Sequence, residues 1–240
     1  MSSIVRLYFP DKIKSDLSSH LTKEQTHYVK DVMRLKIGDK LSIFNIQGDW
    51  NAIIEIYEKE GAKIKIMEKT RDKNNEKNIW LSFSPIKQNS LNFLIQKGTE
   101  IGVQRFLPVL SERTVVREIN IERIKKIIVE ASEQSNRISV PEISKPISIK
   151  NFLSTFPKNG LLIFCDINSN KNNLKNILEK KIYGPVCILI GPEGDFSEKE
   201  RKMIIDHSQT CAISLAKNIL KAETAALSAI TIVNYHLNLS

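Results

Sequence analysis

The chain is short of the features that mark several common protein classes. It has three cysteines in 240 residues, Cys165, Cys187 and Cys211. Each lies in an apolar run and no two are close in sequence, which speaks against a disulfide framework and a zinc site. The arrangement predicts small buried side chains in a reducing compartment, hence a cytoplasmic protein without a bound metal. No apolar stretch approaches the roughly 18 residues needed to cross a bilayer, so no membrane partner is expected. The N-terminal residues show no basic start, apolar core and cleavage site, so no secretory leader is expected either. A Gly-x4-Gly-Lys-Ser/Thr phosphate loop is missing, and so is a Gly-x-Gly-x-x-Gly turn, which argues against the two commonest nucleotide sites. Internal repeats and low-complexity tracts are missing too.

What is present is an ordinary globular composition, 41% hydrophobic and 26% charged, with a net charge of +9. Positive charge suits a polyanion, because basic side chains release counterions from phosphates. Residues 1–72 hold 13 basic and 11 acidic side chains, and the remainder holds 23 and 16, so most of the excess lies in the larger segment.

The first seventy residues read as a small β-rich module. Ile4 to Phe9 is a short strand stopped by Pro10. Thr22 to Leu35 reads as a helix, with Thr22 as N-cap and Gln25 in the capping-box position. Strands are expected at Leu41–Asn45, Trp50–Tyr57 and Ala62–Glu68. Alternation in Lys63 to Ile66 sends lysines to one face and isoleucines to the other, and a solvated sheet face is the simpler account of those lysines than an RNA contact. Residues 69–78 contain no apolar side chain and read as a linker. Two domains follow, 1–72 and 73–240.

Beyond residue 78, strand-like runs alternate with helical patterns. Strands are expected at Ile79–Phe83, Arg105–Leu110, Gly160–Asp166, Val186–Ile190 and Thr210–Ser214. Helices are expected at Ser90–Ile101, Ile121–Asn136, Asn172–Lys180, Ser197–His207 and Ala222–His236. Strands as continuously apolar as Val186–Ile190 predict an α/β fold with a mostly parallel sheet covered on both faces. Ligands then bind beyond the carboxyl ends of the strands.

Four stretches carry the chemistry. Gly191-Pro192-Glu193-Gly194-Asp195-Phe196-Ser197 follows a strand, with two glycines around a tight turn and Ser197 and Glu200 as a capping box for the next helix. Leu215 to Ala225 follows another strand and opens the last helix, with polar Glu223 and Thr224 in its first turn. Ala222, Ala225, Ala226 and Ala229 recur at helical spacing and read as core packing. Glu130 to Arg137 and Gln96 to Val103 would each pass, alone, as an exposed helix end.

Together these stretches resemble the RsmE family of SPOUT-type methyltransferases over nearly the whole chain. The family's leading Arg-x-aromatic is matched by Arg6 to Tyr8. Its His followed by Val-Leu-Arg and Gly-Asp is matched by His27, Val32-Met33-Arg34 and Gly38-Asp39. Its Gln-Lys-Ala-Thr-Glu-Leu-Gly-Val appears as Gln96 to Val103, and its Glu-Gln-x-x-Arg as Glu133 to Arg137, with Val140-Pro141 following. Its Gly-Pro-Glu-Gly-Gly-Phe-Ser appears as Gly191 to Ser197, and its Leu-Gly-x-Arg-Ile-Leu-Arg-x-Glu-Thr-Ala as Leu215 to Ala225. Six motifs in the right order are specific.

The resemblance implies an N-terminal PUA-like β-barrel and a C-terminal SPOUT domain with a deep trefoil knot, a rare exception in protein topology. It implies a homodimer that uses S-adenosylmethionine to methylate N3 of a uridine in 16S ribosomal RNA, on the assembled small (30S) subunit. The methyl donor is expected to meet Leu189, Ile190, Gly191, Pro192, Glu193 and Gly194 in the first loop. In the second it is expected to meet Leu215, Asn218, Ile219, Leu220 and Thr224. RNA contacts are expected from Arg6, Arg34, Lys87 and Lys97. The family pattern is broken at four places: Asp195 and Ala216 stand where it has glycine, and Asn218 and Lys221 where it has arginine. Lys221 offers no forked guanidinium, and Asp at 195 tolerates left-handed backbone better than most residues.

Methylation at uridine N3 requires a proton to leave, so the site needs a base or cations that stabilise the anion. Glu223 is the candidate for the base or for orienting the uracil edge, although it is equally placed to cap its own helix. Arg137 is the candidate for anion or phosphate binding. Two other readings stay open: a non-enzymatic ribosome-binding or assembly module, and a knotted methyltransferase acting on ribose 2′-OH or on transfer RNA.

Overall fold

A computed structural model describes residues 4–73, 76–170, 174–179 and 182–239. The fold divides into two units, one formed by residues 1–75 with 132–140 and the other by 76–131 with 141–240.

The first unit is a mixed sheet. Strands β1 (Arg6–Tyr8), β2 (Ser18–His20), β3 (Lys40–Asn45), β4 (Gly48–Tyr57) and β5 (Ala62–Asp72) lie in the order β1-β3-β4-β5-β2. Only β1 and β3 run parallel. One face buries Leu7, Leu41, Ile43, Ile54, Ile64 and Ile66. The lysines of β5 take the other face, where Lys63 sits 3.7 Å from Glu55. A two-residue turn joins β3 to β4, and Gly48 after it has φ +143, where a Cβ would lie 2.2 Å from the Arg71 carbonyl oxygen. Only glycine fits there. The expected helix is α1 (Lys23–His27), with the Thr22–Gln25 capping box formed on both sides. It passes into a π-helical turn at Tyr28–Val32 and ends on Arg34 at φ 58.

The stretch 69–78 departs from a simple linker. Lys69 to Asp72 extend β5, and Asp49 pairs with Arg71 across the ladder. Main-chain hydrogen bonds and an ion pair hold this end of the strand without apolar side chains. Residues 74–75 lie outside the described residues.

Ser132–Val140 belongs to this unit through a set of polar bonds. Asp49, 5% exposed, accepts from Arg6 at 2.8 Å and from Arg71 at 2.7 Å. Arg6 also donates to the carbonyls of Ser132 and Arg137, and its guanidinium lies 3.5 Å over the Phe44 ring. Arg71 donates to the Asn136 carbonyl at 2.8 Å, and Glu133 accepts the Tyr8 amide at 2.8 Å. Asn136 takes the left-handed conformation, φ 61, that turns the chain there.

In the second unit the strands are β6 (Ile79–Phe83), β7 (Arg105–Leu110), β8 (Glu142–Ile143), β9 (Ile147–Ser148), β10 (Leu161–Cys165), β11 (Val186–Ile190) and β12 (Thr210–Ile213). Their order is β12-β10-β11-β6-β7-β8, with β9 also on β7, and every pairing is parallel. The helices are α2 (Gln88–Ile101), α3 (Ile121–Gln134), α4 (Ile149–Thr155), α5 (Leu174–Leu178), α6 (Glu198–Ile205) and α7 (Ala222–Leu239). The expected helix over 172–180 overlaps α5, and residues 172, 173 and 180 fall outside the described residues. Phe152 of α4 and Phe156 just after its end, with Ile204 of α6, pack on Leu162, Phe164, Cys187 and Leu189 of β10 and β11. Helix α7 packs on β11 and β6 and against α2, burying Ala226, Ala229, Ile230 and Val233. With both faces covered, all five residues of β11 are buried, which is why the strand is apolar throughout.

Candidate active site

Parallel strands bring their carboxyl ends to one edge. Beyond β11 the chain enters Gly191–Phe196; beyond β12 it enters Ser214–Lys221; beyond β6 come Ser84 to Lys87; beyond β7 comes Ser111 to Thr114. Leu189 and Ile190 are buried at the end of β11, and the Ile190 carbonyl accepts the Ser84 amide at 3.1 Å.

The Gly191 loop is held from several sides. The Asp195 amide donates to the Pro192 carbonyl at 2.9 Å, closing a turn over Glu193 and Gly194. Asp195 has φ 59, so it adopts the left-handed backbone that the family's glycine would take, and its own carboxylate accepts the Phe196 amide at 2.8 Å. At Gly191 a Cβ would approach the Phe196 ring to 3.0 Å. Phe196 is 2% exposed and stacks edge-on against Phe164 at 5.6 Å. The Ser197–Glu200 capping box starts α6. Glu200 is 4% exposed; one oxygen accepts the Ser197 amide at 3.1 Å and the other the Glu112 amide at 2.9 Å. A buried carboxylate with one N–H group on each oxygen ties the loop after β7 to the start of α6.

The second loop is open. Ala216, Lys217, Asn218 and Ile219 are exposed, Ile219 to 85%, while Leu215 and Leu220 are half-buried. Helix α7 follows, with Thr224 exposed and Glu223 half-buried in its first turn. Glu223 Oε1 accepts from Ser90 Oγ of α2 at 3.2 Å, which ties the carboxylate to a neighbouring helix. The structure therefore brings Leu189 to Gly194, Leu215 to Leu220, Glu223 and Thr224 to one edge of one sheet.

The other named residues are placed differently. Lys87 is exposed at the N-cap of α2, on this same edge. Lys97 sits near the far end of α2, bonded to Glu100 at 2.8 Å. Arg34 is exposed in the first unit. Arg6 belongs to the first unit as well; Asp49, Ser132 and Arg137 engage its guanidinium, burial lowers its pKa and the Asp49 charge opposes that. Its N–H groups serve the protein itself. Arg137 is also in the first unit, 8% exposed, and donates to Ser139 Oγ at 2.8 Å.

Sequence reasoning missed the Ser111–Thr114 turn. Ser111 and Thr114 are buried and bonded to each other, Oγ to Oγ1, at 2.8 Å, and Arg113 between them donates to the Gly194 carbonyl at 2.9 Å. The signal lay in an Arg at a strand's carboxyl end, without a periodic pattern around it.

Burial pushes the Cys165 thiol up to about 12 and the Cys187 thiol further, so neither offers a thiolate. Among the described residues no three His, Cys, Asp or Glu side chains are grouped to hold a metal, and no helix is long and apolar enough to cross a membrane.

Residues 73–234 match the sequence model of the RNA methyltransferase domain, two thirds of the chain. The chain belongs to that family. Residues 21–67 match the RNA methyltransferase PUA domain. Ribosomal RNA small subunit methyltransferase E of Rickettsia conorii is 32% identical over 228 residues, covering 94% of this chain and 93% of that protein. The protein of the same name from Bacillus subtilis is 28% identical, covering 91% and 90%. Among solved structures, the Neisseria gonorrhoeae protein of that name, bound to S-adenosyl methionine, superposes with a TM-score of 0.87 at 28% identity and 97% coverage of both chains. A Legionella pneumophila methyltransferase with the same cofactor bound gives 0.86 at 26% identity and the same coverage.

Proposed function

We propose that this chain transfers a methyl group from S-adenosylmethionine to N3 of a uridine in 16S ribosomal RNA, acting in the cytoplasm as a homodimer on the assembled small subunit. The observation that carries this reading is the Gly191 loop, prebuilt at the same carboxyl edge of a parallel sheet as the Leu215 loop and Glu223, in a chain of the RNA methyltransferase family. The division of labour follows the two matches: residues 1–72, a PUA-like barrel, for RNA, with Arg34 exposed there, and residues 73–240 for the methyl donor and the chemistry, with Lys87 beside the site. The knot of the family is part of the proposal. Strand β12 lies at the sheet edge outside β10, whereas α7 packs on β11 and β6, so the chain between them recrosses β10.

The residues present fit the donor. Gly191 and Gly194 let a ligand approach the main chain closely. Among the described residues Ser84 has a buried hydroxyl without a hydrogen-bond partner at this edge, and Ile219 offers an exposed apolar face. Leu189 to Gly194, with Leu215, Asn218, Ile219, Leu220 and Thr224, would hold it. When bound, it supplies a methyl group activated on a sulfonium sulfur.

The protein's own part is positioning and proton removal. The S–CH3 bond breaks as the N3–CH3 bond forms, and the N3 proton must go to a base. Glu223 is assigned that role. Ser90 holds Oε1, and Oε2 has no partner among the described residues, so it is available for the proton. Arg137 is assigned to anion or phosphate binding.

Nuclease digestion and mass spectrometry of 16S ribosomal RNA, from cells with and without the gene, test the reading. N3-methyluridine should vanish in the deletion and return with the wild-type gene. A Glu223→Gln protein should lose on the order of 10²-fold or more in kcat while binding the donor normally. A 2′-O-methyl mark, or full turnover by Glu223→Gln, contradicts the assignment.

A further inference from the structure

The loop after β7 is built with more care than a surface turn requires. Ser111 and Thr114 are buried, the Ser111 amide donates to Thr114 Oγ1 at 2.8 Å, and the Thr114 amide donates back to the Ser111 carbonyl at 3.2 Å. Glu200, itself buried, receives the Glu112 amide and so fastens this turn to the capping box of α6. The residue presented by all of these bonds is Arg113, which is exposed. Its Cβ and Cδ lie 3.7 and 3.8 Å from the place where a Gly194 Cβ would stand, and one guanidinium nitrogen donates to the Gly194 carbonyl. Among the described residues it has no other hydrogen bond or ion pair. The side chain is therefore held by one bond, on an exposed residue whose remaining guanidinium donors are unengaged beside the Gly191 loop.

A cation at this place has no attraction for the sulfonium of the donor. A nucleotide entering the site brings phosphates with it, and a planar fork with spare parallel N–H groups matches a phosphate better than an ammonium does. Among the described residues none of the neighbouring acids forms an ion pair with Arg113. Asp195 accepts the Phe196 amide and lies 3.4 Å from the Asn168 amide nitrogen, and Glu200 accepts two main-chain amides. We propose that Arg113 is an RNA-binding residue of the methyltransferase unit, gripping a backbone phosphate of the target strand while its bond to the Gly194 carbonyl keeps it registered on the donor loop. This rests on the methyltransferase reading above.

The test uses full-length protein and small ribosomal subunits from cells lacking the gene. Affinity for the subunits is measured against salt, and donor affinity by calorimetry. Arg113→Gln should weaken subunit binding by roughly tenfold or more and reduce the slope of log affinity against log salt by about one, with donor affinity unchanged within twofold. Arg113→Lys, which keeps the charge and loses the fork, should restore the slope and only part of the affinity. If Arg113→Gln loses its fold, Arg113→Lys carries the test through its partial loss of affinity. Unchanged subunit affinity and slope overturn the proposal, as does a loss confined to the donor, which would assign Arg113 to the donor's carboxylate. Wild-type protein is assayed alongside: failure to methylate these subunits overturns the function itself, whereas an active wild type with an indifferent variant overturns only the role of Arg113.

Discussion

The two loops that flank the candidate donor site are held in different ways. Gly191–Phe196 is fixed from within: a closed turn, a left-handed Asp195 bonded to the next amide, a buried Phe196 and a buried Glu200 beneath it. Ser214–Lys221 has one local bond from Ser214 Oγ to the Ala216 carbonyl, at 3.3 Å, and four consecutive exposed side chains. The first loop is shaped before any ligand arrives. The second has little of its own to hold its shape.

Substitutions at four positions test that contrast, from the largest expected effect to the smallest. Glu200→Gln turns one acceptor into a donor facing the Ser197 or the Glu112 amide. It should cost about 3 kcal/mol, seen as a melting temperature lower by roughly 10 °C, and should weaken donor binding as the first loop loosens. An unchanged melting temperature would show that the loop does not depend on this carboxylate. Gly191→Ala drives a methyl group into Phe196 and should cost about 1–3 kcal/mol, with donor affinity falling in calorimetry. Asp195→Ala should cost about 1 kcal/mol, because alanine keeps the left-handed strain without the bond to Phe196, while Asp195→Gly should be nearly neutral. Equal losses for the two would mean that backbone shape is not what Asp195 supplies. Ile219→Ala should shift stability by less than about 0.5 kcal/mol yet reduce donor affinity. A destabilisation as large as that of Gly191→Ala would erase the difference between the loops.

Much of this was legible in the sequence because it was written locally. The two capping boxes, Thr22–Gln25 and Ser197–Glu200, need only residues three apart, and both formed. Val186–Ile190 has the expected bounds because a strand covered on both faces announces itself as an unbroken apolar run. The short strands β2, β8 and β9 carry two or three residues each and have no period to detect. Helix α4 escaped for the same reason, at seven residues with a lone Ser148 cap. The extension of β5 through Lys69–Asp72 was hidden by its polarity, since what holds it is Asp49, a residue 22 positions earlier than Arg71. At the site, the Gly191 loop was found from its own grammar. Arg113 was not, because its importance comes from Gly194, 81 residues away.

The return of Ser132–Val140 to the first unit has a bearing on how the chain is made. A ribosome releases Arg6, Asp49 and Arg71 long before it reaches the carbonyls of Ser132, Asn136 and Arg137 that those arginines grip in the finished protein. The N-terminal sheet can form its ladder early, but its polar cluster is completed only after residue 140 has emerged. A nascent chain halted after residue 75, or a fragment cut there for expression, carries two arginines around one aspartate and none of those three carbonyls. The boundary that looks natural along the sequence is thus a poor place to divide the molecule.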